Sequence, residues 1–214
     1  MTPWQAVARL GEAQILLPAL AAVCLWLAWR GGAARLAAWA LALTAAATAV
    51  TTVTKVAFIG YEVGYAPWDY TGVAGHSMFA AAIWPLLVGV ALPRAAARWR
   101  VAALGTAYAF AAVVSVSRIV TGAHSPSEVL LGFALGAAAS GLALQLAPGP
   151  RKPLPAVLLA GLALWMLAAP AGAPPSRTHG WVTALSLKVS GRPQPYTREL
   201  MLAQWRAQQR AQAP

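Results

Sequence analysis

Apolar residues gather in six runs, 13–29, 36–59, 78–92, 101–116, 129–147 and 154–169, parted by short polar connectors. Each run is close to the roughly 17 to 25 residues that cross a bilayer as a helix, the third and fourth being short. The pattern predicts an all-α integral membrane protein, a bundle of six transmembrane helices. Composition agrees: of 214 residues 59% are hydrophobic and 10% charged. Soluble domains carry about a quarter charged residues, which excludes that class.

The net charge of +11 would suggest a nucleic-acid partner in a soluble protein. Here seven basic residues sit in three short connectors, so nucleic acid is not expected and the charge reports topology. Arg30 and Arg35, then Arg94, Arg98 and Arg100, then Arg151 and Lys152 occupy alternate connectors without an acidic residue. Those three face the cytoplasm by the positive-inside rule. Segments 61–75 and 117–128, with Glu62, Asp69 and Glu128 against Arg118, face outward together with both termini. The first run lacks a preceding basic cluster and a small-residue cleavage site, so it is expected to be retained rather than cleaved. Val23 before Cys24 disfavours lipidation, and a single cysteine allows no internal disulfide.

Pro170, Pro174 and Pro175 interrupt the apolar pattern, dividing the chain into a membrane domain over 1–170 and a basic tail over 171–214. The tail holds Arg177, Lys188, Arg192, Arg198, Arg206 and Arg210 against Glu199. Within it, 197–209 is readable either as a membrane-surface helix or as disordered chain.

The outward connectors and their borders hold Lys55, Glu62, Asp69, His76, Arg118, His124 and Glu128. Ionisable groups at the edge of a bundle are candidate functional groups. A neutral imidazole such as His124 can attack phosphorus while a carboxylate, Glu128, fixes its tautomer. Arg118 can grip two phosphate oxygens with its planar fork. His76, following Gly75 at the start of the third run, sits where free backbone N–H groups favour an anion, and it can protonate a leaving oxygen. Glu128 also completes a capping box with Ser125, Pro126 taking the first helical position; capping and orienting His124 are equally open as its main task. Tyr61, Tyr65, Trp68 and Tyr70 read as an aromatic belt before a substrate platform, His179 as structural or solvent-exposed, and Asp69 as a loop residue. No cluster of metal ligands stands out, and neither metal nor cofactor is expected.

These residues resemble the motifs of the type 2 phosphatidic acid phosphatase family, relatives of the vanadium haloperoxidases. Ser117, Arg118 and His124, with Glu128 in the aspartate place, match the third motif. Val73-Ala74-Gly75-His76 corresponds to the second, Pro-Ser-Gly-His. Lys55 remains of the first, with Glu62-Val63 where Arg-Pro is expected. The resemblance implies metal-free phosphoryl transfer through a phosphohistidine on His124, His76 serving as acid and base, and Lys55, Arg118 and the Gly75 N–H holding phosphate oxygens. It implies a lipid phosphate monoester or pyrophosphate as substrate, at the outer face of a bacterial inner membrane. A lipid phosphotransferase and a degenerate member that binds a lipid or partner protein are the alternatives, the latter supported by Glu62 and Ala74. The sequence leaves the oligomeric state open.

The topology is checked by cysteine accessibility in intact cells: position 65 should label from outside and position 97 should be protected. The reverse pattern would place the site in the cytoplasm.

Overall fold

The computed structural model describes residues 2–93, 95–172, 174 and 176–212, so Arg94 and Pro175 lie outside the described residues. The apolar runs form helices α2 (Ala13–Trp29), α3 (Ala34–Tyr61), α4 (Gly75–Ala91), α5 (Ala97–Val120), α6 (Pro126–Leu146) and α7 (Ala156–Gly172). A short α1 (Pro3–Arg9) precedes them, and α8 (Thr178–Ser190) and α9 (Arg198–Gln212) follow. The tail is therefore helical where the sequence left helix and disorder equally open. Between α3 and α4 stand a 3-10 turn, Ala66–Trp68, and an isolated antiparallel bridge pairing Tyr65 with Tyr70; no β-strand occurs among the described residues.

Four helical stretches, Pro3–Trp29, Ala34–Tyr61, Ala97–Val120 and Pro126–Leu146, are long and apolar enough to cross a membrane, and α4 and α7 are shorter apolar helices. The fourth run belongs to a helix longer than the run itself. Its helix extends through Arg98 and Arg100 at one end and Arg118 at the other, charges that truncate an apolar run without breaking the backbone pattern. Large apolar side chains such as Leu25, Val53, Leu130, Val157 and Leu167 lie exposed on the outside. An apolar exterior around hydrogen-bonded helices is what a lipid solvent selects, and the chain is a multi-pass helical membrane protein.

Small residues let the central helices approach. A Cβ on Gly132 would lie 2.5 Å from the Ala74 carbonyl oxygen, and one on Gly136 would lie 2.2 Å from that of Met78. One turn further, Ser140 Oγ donates to the Ala81 carbonyl at 2.8 Å. Close approach of this kind replaces the hydrophobic drive that is missing between helices in lipid. Here it brings the N-termini of α4 and α6 side by side, where the Ala74 N–H donates to the Glu128 carbonyl at 3.1 Å.

The connectors sort to two ends. At one, the Arg151 N–H donates to the Gly31 carbonyl, tying the α2–α3 and α6–α7 connectors together. At the other lie the α3–α4 and α5–α6 connectors, the α1–α2 elbow at Gly11 against the His76 backbone, and the tail. The tail is fastened by the Tyr196 N–H donating to the Ile59 carbonyl at 3.0 Å and by a cluster of Phe58, Ile59, Tyr196 and Met201.

Gly136→Ala should destabilise the bundle by about 1 to 3 kcal/mol through overpacking. Gly161→Ala, where nothing lies within 4 Å, is the control. Thermal melts in detergent check this; equal melting of the two variants would contradict the close α4–α6 approach.

Candidate active site

The α5–α6 connector explains why Arg118 and His124 stand six positions apart. α5 ends in a Schellman turn: Gly122 takes φ 68°, its N–H donates to the Ile119 carbonyl, and the Ala123 N–H donates to that of Arg118. The His124 N–H donates to the same Arg118 carbonyl at 3.2 Å, so the two residues are locked by local backbone geometry. Ser125 then caps α6: its Oγ accepts from the Glu128 N–H at 3.4 Å, and its own N–H donates back to Glu128 Oε2 at 3.3 Å.

Glu128 does both tasks that the sequence offered. Its Oε2 closes the capping box and also accepts from His124 Nδ1 at 2.6 Å. The acceptor-only carboxylate requires the proton to sit on Nδ1, which leaves the Nε2 lone pair free to act as a nucleophile. The carboxylate is fully buried. Its Oε1 accepts from the Thr71 N–H at 2.8 Å and the Thr71 hydroxyl at 2.5 Å, and its Oε2 accepts from Arg198 Nη2 at 2.8 Å.

His124 opens on a cavity of about 720 Å3 whose walls also include Lys55, Gly75, His76 and Arg118. Five of the six residues nominated from sequence thus share one cavity, and the sixth, Glu128, is hydrogen-bonded to one of them. Gly72, at φ 133°, lies close against Lys55: a Cβ there would be strained and would stand 3.2 Å from the Lys55 backbone nitrogen. Gly75 and His76 form the first turn of α4, and their N–H groups precede the first intrahelical bond, made by Met78 to the Ala74 carbonyl. Arg118 Nε is buried without a hydrogen-bond partner. An orphaned guanidinium donor beside free helix N–H groups suits a bound anion.

Glu62 is not among the cavity's walls. It occupies the left-handed position that ends α3, with φ 63°, and its exposed carboxylate is paired with Arg192 of the tail. Asp69 is more than a loop residue: its Oδ2 accepts from Arg198 Nη1 at 2.7 Å. His179 is exposed, at the cavity's edge. Two contributors escaped the sequence reading, Thr71 and Arg198. Neither belongs to a motif, and Arg198 is separated from Glu128 by 70 positions. Among the described residues no group of three or more His, Cys, Asp or Glu is placed to hold a metal ion.

The PAP2 superfamily model matches residues 56–152, a stretch holding His76, Arg118, His124 and Glu128 and starting one position after Lys55. The chain belongs to the PAP2 superfamily. A Klebsiella pneumoniae protein described as an uncharacterized 22.5 kDa protein in cps region is 42% identical over 144 residues, covering 67% of this chain and 68% of that protein. No solved structure matches the chain at a significant level. Membership in the PAP2 superfamily supports a phosphatase-type activity. The tail that carries Arg192 and Arg198 lies beyond the stretch matched by the PAP2 model.

Burial pushes the His124 imidazole below its ordinary value of 6.5; the hydrogen bond that it donates to Glu128 opposes this, and the cations Lys55 and Arg118 reinforce it. Its uncharged form, with Nε2 free, therefore prevails at pH 7. Nitrogen NMR of labelled imidazole in detergent should find His124 titrating below 6.5. A midpoint above that value would mean that Glu128 outweighs burial and that a cation occupies the site.

Proposed function

We propose that this protein is a metal-independent lipid phosphate phosphatase with six membrane spans and its site on the extracytoplasmic face of a bacterial inner membrane. The observation that carries the reading is the His124–Glu128 pair opening on the same cavity as His76, Lys55 and Arg118. In the first step His124 Nε2 forms a bond to phosphorus as the bond to the leaving oxygen breaks, and His76 delivers a proton to that oxygen. In the second step His76 takes a proton from water, whose oxygen displaces the imidazole and releases phosphate. Lys55, Arg118 and the N–H groups of Gly75 and His76 neutralise the equatorial oxygens in both steps. Glu128 stabilises the imidazolium character that develops on His124 and otherwise remains a carboxylate.

The lipid nature of the substrate is supported by a second, apolar groove of about 590 Å3 along α2 and α3, lined by Leu17, Leu20, Leu41, Ala45, Ala49 and Val53 among others. It shares Leu17, Thr48 and Thr52 with the walls of the cavity that His124 opens on. A phosphate head seated near His124 can thus keep its hydrocarbon chain against apolar helix faces, which a soluble phosphate ester has no use for. The six-span count fits the sorting of connectors to two ends, with both terminal segments at the site end. The pairing of Glu62 with Arg192 removes the main electrostatic objection to turnover.

Phosphate release by the purified protein from a panel of lipid monophosphates and pyrophosphates tests the proposal. His124→Ala should abolish turnover, and His76→Ala should slow it by roughly a hundredfold to ten-thousandfold, more for poor leaving groups. Chelators should have no effect. Full activity in His124→Ala, or loss on chelation restored by a divalent ion, would refute the mechanism.

A further inference from the structure

We propose that Arg198, on the C-terminal segment, is a positioning residue that fixes the Glu128 carboxylate against His124 and balances its charge. The proposal rests on His124 being the nucleophile. Glu128 is fully buried, and its carboxylate accepts five hydrogen bonds, of which only the one from Arg198 brings a permanent full positive charge. Family resemblance places aspartate at this position. Glutamate has one more rotatable bond, so its carboxylate needs outside restraint to meet Nδ1 in one geometry. Arg198 supplies that restraint by bridging: Nη1 binds Asp69 Oδ2 on the α3–α4 connector at 2.7 Å while Nη2 binds Glu128 Oε2 at 2.8 Å. The planar fork holds the two acceptors in a fixed geometry, which the single rotatable ammonium of a lysine does not impose.

The rest of the tail is arranged to deliver this residue. Arg192 is anchored on Glu62, Tyr196 is bonded through its N–H to the Ile59 carbonyl, and Arg198 opens α9 two positions later. Arg198 also forms part of the cavity's wall. The groups that act on His124 or line its cavity are Lys55 from α3, His76 from α4, Arg118 from α5, Glu128 from α6 and Arg198 from the tail. Within this set Arg198 shares Oε2 with His124 Nδ1, so its charge competes directly with the imidazole for the same oxygen. Removing that charge while keeping a donor makes Glu128 a stronger partner for the imidazolium, and His124 takes up a proton more readily.

The test uses the full-length protein with labelled imidazole in detergent, comparing wild type with Arg198→Gln and Arg198→Lys. Arg198→Gln should raise the His124 titration midpoint by roughly one pH unit, a tenfold change in its protonation equilibrium. The acid limb of kcat/KM should move to higher pH by the same amount. Arg198→Lys retains the charge, so its midpoint should stay near that of wild type while kcat falls through lost bridging. An unchanged midpoint in Arg198→Gln, with only a lowered melting temperature, would make Arg198 a structural strap and overturn the proposal. Should Arg198→Gln not fold, a wild-type midpoint and wild-type kcat in Arg198→Lys would overturn it as well. The midpoint is read without substrate, so a failure of the phosphatase reading, seen as no phosphate release by wild type, remains distinguishable from a failure of this one.

Discussion

A carboxylate removed wholly from water is the constraint around which the site end of this molecule is organised. An ionised group that is buried without partners is too costly to persist, and it must be hydrogen-bonded and paired. Glu128 meets this requirement with donors from the α3–α4 connector, the α5–α6 connector and the tail. Segments distant in sequence are thereby tied to one point. The imidazole of His124 is one of those partners, so the force that satisfies the carboxylate also orients His124.

Reaching that point depends on how closely α4 and α6 pack. Gly132 and Gly136 allow backbone to meet backbone, and that places the open first turn of α4, with Gly75 and His76, beside the cap of α6. Any added atom at those glycines would separate the two histidines' supports. The motif spacing has equally local causes. Gly122 in a left-handed turn folds the chain so that His124 returns over the end of α5, and Gly72 admits the Lys55 stem.

The departures from the family pattern acquire a different meaning in three dimensions. A glutamate at position 62 looks like a charge reversal beside a phosphate, yet the left-handed turn at the end of α3 carries it to the surface, where Arg192 neutralises it. The longer arm at Glu128 is matched by extra donors from Thr71 and Arg198. Ala74 still uses its backbone N–H, on the Glu128 carbonyl, although it has no hydroxyl to offer a ligand. Two of the three departures are thus compensated by the tail, which lies beyond the stretch that the family model matches.

The sequence by itself determined the apolar helices and grouped Arg118, His124 and Glu128 with Lys55 and His76. Hydrophobic runs of bilayer length report the solvent directly, and the first run coincides with α2 at both ends. Motif spacing encodes turns that form from neighbouring residues, so Arg118, His124 and Glu128 could be grouped without coordinates. Only the tertiary structure decided which tail residues reach Glu128 and Glu62. The contact of Arg198 with Glu128 spans 70 positions and that of Arg192 with Glu62 spans 130. Contacts of that range leave no periodicity or spacing in a single sequence, because they arise from the docking of finished helices on a shared surface.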